Sequence, residues 1–177
     1  MSRAIVPDYK LLAAAAALSL FGIAMVYSAG QTDTPTAVAS AYKSQILWLL
    51  IGVGFAYGVS HSSVRFIEWM TTPLFLFSVF LLALTLVIGK GAGTAASTKS
   101  WLAIGSHRIG QPSEIAKVTV VLMLAKVLAN QREAPKSLLD LWKPALVVGI
   151  PWVIIMLQPD LGTGIVFIGI FFAMLYW

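Results

Sequence analysis

Six long apolar stretches, separated by short polar connections, decide what this chain can fold into. They run from about Leu11 to Ala29, Gln45 to Ser60, Thr72 to Gly89, Pro112 to Asn130, Pro144 to Gln158 and Leu161 to Trp177. A helix needs about 20 residues to cross the hydrocarbon core, within a working range of about 17–25. Four stretches fit that range, and the second and fifth are slightly short. None alternates polar and apolar residues, so closed barrels, the other spanning structure lipid allows, are excluded. The expected class is all-α: a polytopic helical membrane protein with about six transmembrane helices. Composition agrees, since only 11% of the 177 residues are charged, against about 25% in soluble domains. Soluble, disordered and disulfide-built classes drop out. With no cysteine in the chain, a thiol nucleophile and a cysteine-ligated metal drop out too.

The first stretch reads as a retained span rather than a cleaved leader. Its apolar run exceeds the about 7–15 residues of a signal peptide, and Tyr27-Ser28-Ala29 puts a bulky residue where a small one is wanted. With the N-terminus cytoplasmic, that side holds Arg3, Lys10, Arg65, Lys126, Arg132, Lys136 and Lys143. The other side holds Lys43, Lys90, Lys99, Arg108 and Lys117. The positive-inside bias therefore favours the N-terminus in, by a small margin. The net charge of +5 suits a bilayer and an anionic lipid substrate. Because the bases are dispersed, it gives no support for nucleic acid. The final stretch ends on Phe171-Phe172-Ala173-Met174-Leu175-Tyr176-Trp177 with no charged flank, which reads as the front part of a longer protein.

Polar groups concentrate beside the helices in two places. The first is the connection over 90–111, expected to be an external loop, together with the start of the fourth span. It holds Lys99, Trp101, His107, Arg108, Gln111, Ser113, Glu114 and Lys117. Pro112 suits the first helical position and Glu114 the first turn. Glu114 and Lys117, three apart, share a helix face. Two readings fit this pair. In one, Glu114 complements the helix dipole while Lys117 pairs with it and snorkels to the headgroups. In the other, the pair faces an anionic group such as a diphosphate in a water-filled cavity. His107 has no second histidine or carboxylate at metal-ligand spacing, and Trp101 suits an interfacial anchor.

The second place is Gln158-Pro159-Asp160-Leu161-Gly162-Thr163-Gly164. Pro159 ends the fifth helix, and Asp160 can cap the sixth. The same acid also suits a proton acceptor, a cation ligand or a structural partner of Lys117 or Arg108. At this level the sequence fits either a transporter or an enzyme acting on a lipid-linked substrate.

The strings Trp101-Leu102-Ala103-Ile104-Gly105, Gln111-Pro112-Ser113-Glu114-Ile115-Ala116-Lys117 and Gln158-Pro159-Asp160-Leu161-Gly162-Thr163 resemble the SEDS family (shape, elongation, division and sporulation). The closer branch is RodA-like, with FtsW as its division relative. Tyr27-Ser28-Ala29, Gln45 and Trp48 also look like the family. The resemblance implies a ten-helix fold with cytoplasmic termini, of which residues 1–177 form the N-terminal portion of one membrane domain.

It further implies a peptidoglycan glycosyltransferase of the bacterial inner membrane that polymerises lipid II beside a class B penicillin-binding protein. A lipid II flippase and a non-catalytic scaffold are the competing readings. Lys99, Trp101, Arg108, Gln111, Ser113, Glu114, Lys117 and Asp160 would lie near its outer-face cavity. No cofactor is assigned, and a divalent cation is left open. Two positions depart from the family pattern: Ser100 stands where RodA-like chains carry arginine, and Gly110 where they carry an aromatic residue. The family's essential aspartate, in a string like His-Thr-Asp-Phe after the sixth helix, and its later Gly-Gly-Ser motif match nothing in 1–177.

Overall fold

The computed structural model describes residues 8–31, 40–89, 100–104, 107–131 and 137–176. Helices α1 (Tyr9–Ala29), α2 (Ala41–Ser60) and α3 (Val64–Ile88) come first. A hairpin of strands β1 (Leu102–Ile104) and β2 (His107–Gly110) follows, then α4 (Pro112–Ala129), a 3-10 turn (Leu138–Leu141), α5 (Trp142–Leu157) and α6 (Leu161–Tyr176). The chain divides into two compact units, residues 1–62 and 63–177.

In the first unit α1 and α2 pack together. Asp8 starts α1, its carboxylate accepting from the backbone N–H groups of Lys10 and Leu11 at 3.0 and 3.2 Å. That satisfies donors no helical carbonyl can reach. Tyr27 meets Tyr42 edge to face at 5.2 Å between ring centroids. Neither helix buries a residue, as expected where lipid is the solvent.

The second unit carries the core. Phe75 and Leu82 of α3, Val120 and Leu124 of α4, Ile155 of α5 and Phe167 of α6 pack against one another, out of contact with solvent. Helix α3 begins at Val64 rather than at Thr72, because Ser63 caps it through Phe66 N–H at 3.2 Å. The added turns carry Arg65, Glu68 and Trp69, polar and interfacial residues that an apolar window leaves out. The fifth stretch is likewise extended. Ser137 and Asp140 cap the 3-10 turn, Ser137 Oγ accepting from Leu139 N–H and Asp140 from Ser137 N–H, and the helical run then covers Leu139–Leu157. That run, α1 and α3 are each long and apolar enough to cross a membrane, and α6 is a shorter apolar helix.

Among the described residues, polar contacts at three heights tie α4 and α5 to α3. Near its start, Lys126 Nζ of α4 donates to the Glu68 carbonyl at 3.0 Å and to Thr72 Oγ1 at 3.1 Å. Midway, buried Ser78 and Thr119 hydroxyls lie 2.7 Å apart, and each also reaches a carbonyl of its own helix. Towards its end, Gln158, only 1% exposed, donates from Nε2 to the Leu82 carbonyl and to Thr85 Oγ1, both at 2.9 Å. Replacing Gln158 with the similarly sized leucine removes both bonds and leaves Leu82 with its helical bond alone. The expected loss is about 1–3 kcal/mol, with Thr85→Val costing less because Gln158 keeps the Leu82 carbonyl. Reversible unfolding of the purified protein in detergent checks this, and a leucine variant as stable as the parent would refute it.

Candidate functional site

The β1–β2 hairpin delivers the chain to α4. Leu102 faces Gly110, Ala103 faces Arg108 and Ile104 faces His107, so Ile109 falls at a register irregularity beside Leu102–Ala103. The extra residue bends the second strand just before Gln111. Part of the connection expected as a loop is therefore a small antiparallel ladder, which lets its backbone groups pair with each other. Trp101 is half-buried ahead of β1, and Ser100 is buried.

Helix α4 opens on Pro112, whose missing N–H costs nothing at that position. Gln111 precedes it in extended conformation, and its side chain makes no bond to its own helix. Instead Gln111 Nε2 donates to Asp160 Oδ2 at 3.1 Å, across to the start of α6. Asp160 caps α6 as its sequence position suggests: Oδ1 accepts from Thr163 N–H at 3.1 Å, and Oδ2 also accepts from Thr163 Oγ1 at 2.9 Å. One carboxylate thus terminates α6 and holds the start of α4 against it. Among the described residues its partners are Gln111 and Thr163 rather than Lys117, and the Arg108 side chain lies outside them.

One turn on, Lys117 Nζ contacts Glu114 Oε1 at 2.8 Å. Lys117 is 27% exposed and Glu114 59%, so the ammonium is the more withdrawn partner. Ser113, between Gln111 and Glu114, is 1% exposed, and its Oγ meets no hydrogen-bond partner among the described residues. A buried hydroxyl left that way carries a desolvation cost. Gly164 in α6 lies close against α5, where an added Cβ would come within 2.6 Å of Met156 Cε.

Of the residues expected at this site, the structure joins Gln111 to Asp160 and Glu114 to Lys117, with Ser113 in the same first turn. Arg108 lies in β2, and its side chain falls outside the described residues, as does all of Lys99. Thr163 was not singled out, although an aspartate with threonine three residues on is a capping pattern. The Gln111–Asp160 link had no signal, because the two are 49 residues apart. The described residues contain no cluster of three or more histidine, cysteine, aspartate or glutamate side chains that could hold a metal ion.

Apolar helices of spanning length, joined inside by a few polar contacts and carrying a charged pair at one end, define a multi-pass helical membrane protein. The chain belongs to the FtsW/RodA/SpoVE family of cell cycle proteins, whose model matches residues 9–177. It is 33% identical over 169 residues to the peptidoglycan glycosyltransferase RodA of Treponema pallidum, covering 96% of this chain and 38% of that protein. It is 32% identical over 175 residues to the stage V sporulation protein E of Bacillus subtilis, covering 96% and 47%. Among solved structures, the Thermus thermophilus rod shape determining protein RodA superposes with a TM-score of 0.77 at 29% identity, over 97% of this chain and 55% of that one. A chain from a peptidoglycan synthase complex that coordinates polymerization and crosslinking gives 0.76 at 30% identity, over 94% and 46%. The chain therefore spans less than half the length of these curated relatives.

The link between α4 and α6 can be tested by charge. Asp160→Ala removes cap and link together and should cost about 0.5–2 kcal/mol, whereas Asp160→Asn keeps a cap of similar strength. Gln111→Glu sets two carboxylates against each other and should destabilise; adding Asp160→Asn should restore stability, since the asparagine amide can donate to the new glutamate. Thermal unfolding in detergent reads all four variants. No rescue in the double variant would count against the link.

Proposed function

We propose that this chain is part of a peptidoglycan glycosyltransferase of the bacterial inner membrane, polymerising lipid II into glycan strands. The observation that carries the reading is the Glu114–Lys117 pair at the start of α4, in a chain whose relatives include a named peptidoglycan glycosyltransferase. The N-terminus is cytoplasmic in this reading, and α4 then starts at the outer face, where the polymer is built.

In the reaction, an acceptor sugar hydroxyl attacks the anomeric carbon of the donor. The bond from that carbon to the diphosphate oxygen breaks, and undecaprenyl diphosphate leaves. The hydroxyl proton passes to a carboxylate, a task the resemblance assigns to the family's essential aspartate, which matches nothing in residues 1–177. The Lys117 ammonium stabilises the negative charge that builds on the departing diphosphate, because a preplaced cation outside bulk water needs no reorganisation as that charge appears. Glu114 positions it. The partial positive charge at the start of α4 adds to the same field, and Asp160 acts through Gln111 to hold that turn in place. Arg108 and Lys99 supply further positive charge from the hairpin and the segment before it, and Trp101 anchors the hairpin at the interface. A class B penicillin-binding protein is the expected partner, supported by the likeness to a chain from a complex that couples polymerization to crosslinking.

The test is conversion of lipid II to glycan strands by the purified full-length protein. Lys117→Ala should lower turnover by about 10²–10³-fold while leaving membrane insertion and unfolding temperature near those of the parent. Unchanged polymerisation would refute the role given to Lys117. Translocation of lipid II across vesicles with no glycan product would instead make the protein a flippase, and partner binding with neither activity would make it a scaffold.

A further inference from the structure

The opposite end of α3 and α4 holds a groove of about 310 Å³ that the glycosyltransferase reading does not use. Val64 and Ile67 of α3 and Leu122 of α4 give it apolar walls, and Glu68, Lys126 and Asn130 supply its polar groups. The volume sits at the lower end of the about 300–1,000 Å³ typical of small-ligand sites. Exposed Trp69 stands on the helical turn that contributes Glu68. Trp142, whose ring lies 5.5 Å from Lys143 Nζ, opens α5, reached from the end of α4 by a short connection. Tryptophans and lysines of this kind mark the headgroup level of a bilayer.

The groove holds opposite charges that do not satisfy each other. Lys126 Nζ is aimed by two neutral acceptors, the Glu68 carbonyl and Thr72 Oγ1, which leaves one of its protons for another group. Among the described residues it forms no ion pair, although the Glu68 carboxylate lines the same groove. Glu68 therefore holds Lys126 by its backbone while its own carboxylate stays exposed. A ligand that carries an anion and a hydrogen-bonding cation a few atoms apart, on an apolar body, would complement all three features.

We propose that this groove binds a phospholipid whose headgroup has a primary ammonium beside its phosphate. The phosphate lies against Lys126 and Asn130, the ammonium reaches the Glu68 carboxylate, and an acyl chain runs inward along Leu122. An anionic headgroup without the amine would leave Glu68 facing a phosphate. A trimethylated headgroup has a cation with no proton to donate to it.

The experiment is competition among phosphatidylethanolamine, phosphatidylglycerol and phosphatidylcholine of matched acyl chains for the full-length protein in neutral detergent. Native mass spectrometry counts the lipid retained. Phosphatidylethanolamine should be retained about threefold over each of the others, the scale of one partly exposed ion pair. Glu68→Gln should abolish that preference without disturbing the helices, because the carbonyl that holds Lys126 remains. Lys126→Gln keeps a donor for that carbonyl and should reduce retention of phosphatidylethanolamine and phosphatidylglycerol alike. Retention indifferent to headgroup, stronger retention of phosphatidylglycerol, or a preference that survives Glu68→Gln would each overturn the proposal.

Discussion

Inside a bilayer no water is available to a backbone N–H or C=O, and every such group must find its partner within the protein. That requirement produces the helices, and it also removes the force that usually packs them. Lipid tails are as apolar as leucine, so burying Leu82 or Phe167 against a neighbouring helix gains packing contacts but little from leaving the solvent. What fixes one arrangement over another is the small set of side chains that can hydrogen-bond between helices. Among the described residues of 63–177, those that engage α3 lie at three heights: Lys126 on the Glu68 carbonyl and Thr72, Thr119 on Ser78, and Gln158 on the Leu82 carbonyl and Thr85.

Those contacts close a circuit around the candidate site. Gln158 fastens the end of α5 to α3, and only Pro159 separates it from Asp160. Asp160 caps α6 and holds Gln111, which leads into α4, and α4 returns to α3 through Thr119. The start of α4 is thereby located from both sides, by its own helix below and by the α5–α6 turn beside it. A residue such as Gln158, far in sequence from Lys117, becomes part of what sets the position of the Lys117 ammonium.

Much of this was legible in the sequence, and the boundary of legibility has a physical meaning. Apolar runs locate helices because lipid demands them, and Pro112, Pro159 and Asp160 mark helix ends through local backbone chemistry. Helix starts were misplaced where charged or interfacial residues continue a helix past its apolar part, as Arg65 and Glu68 do in α3. The Glu114–Lys117 pair was visible because three-residue spacing on a helix is local. Gln111–Asp160, Ser78–Thr119 and Gln158–Thr85 were not, since a glutamine or serine in an apolar run carries no mark of which distant partner it will meet. The site's residues could be named from sequence, but the contacts that hold them could not.

The charges at the start of α4 satisfy helix stability and still leave an ammonium close to the positive end of the helix. The N-terminal end of a helix carries partial positive charge and favours acids by about 0.3–1 kcal/mol, disfavouring bases to a similar degree. Asp160 at α6 obeys this rule, as does Glu114 at α4. Lys117 lies in the second turn of α4, past the turn on which that end effect acts, and is more withdrawn from solvent than the glutamate that pairs with it. One acid thus faces two positive groups, the helix end and the ammonium. Glu114 before Lys117 is the order the helix dipole favours in such a pair; what remains uncompensated is the partial positive charge of the helix end itself. An anionic group bound at this end would relieve the imbalance, and a lipid-linked diphosphate carries enough charge to do so. The electrostatics of α4 and the glycosyl-transfer reading therefore ask for the same kind of ligand.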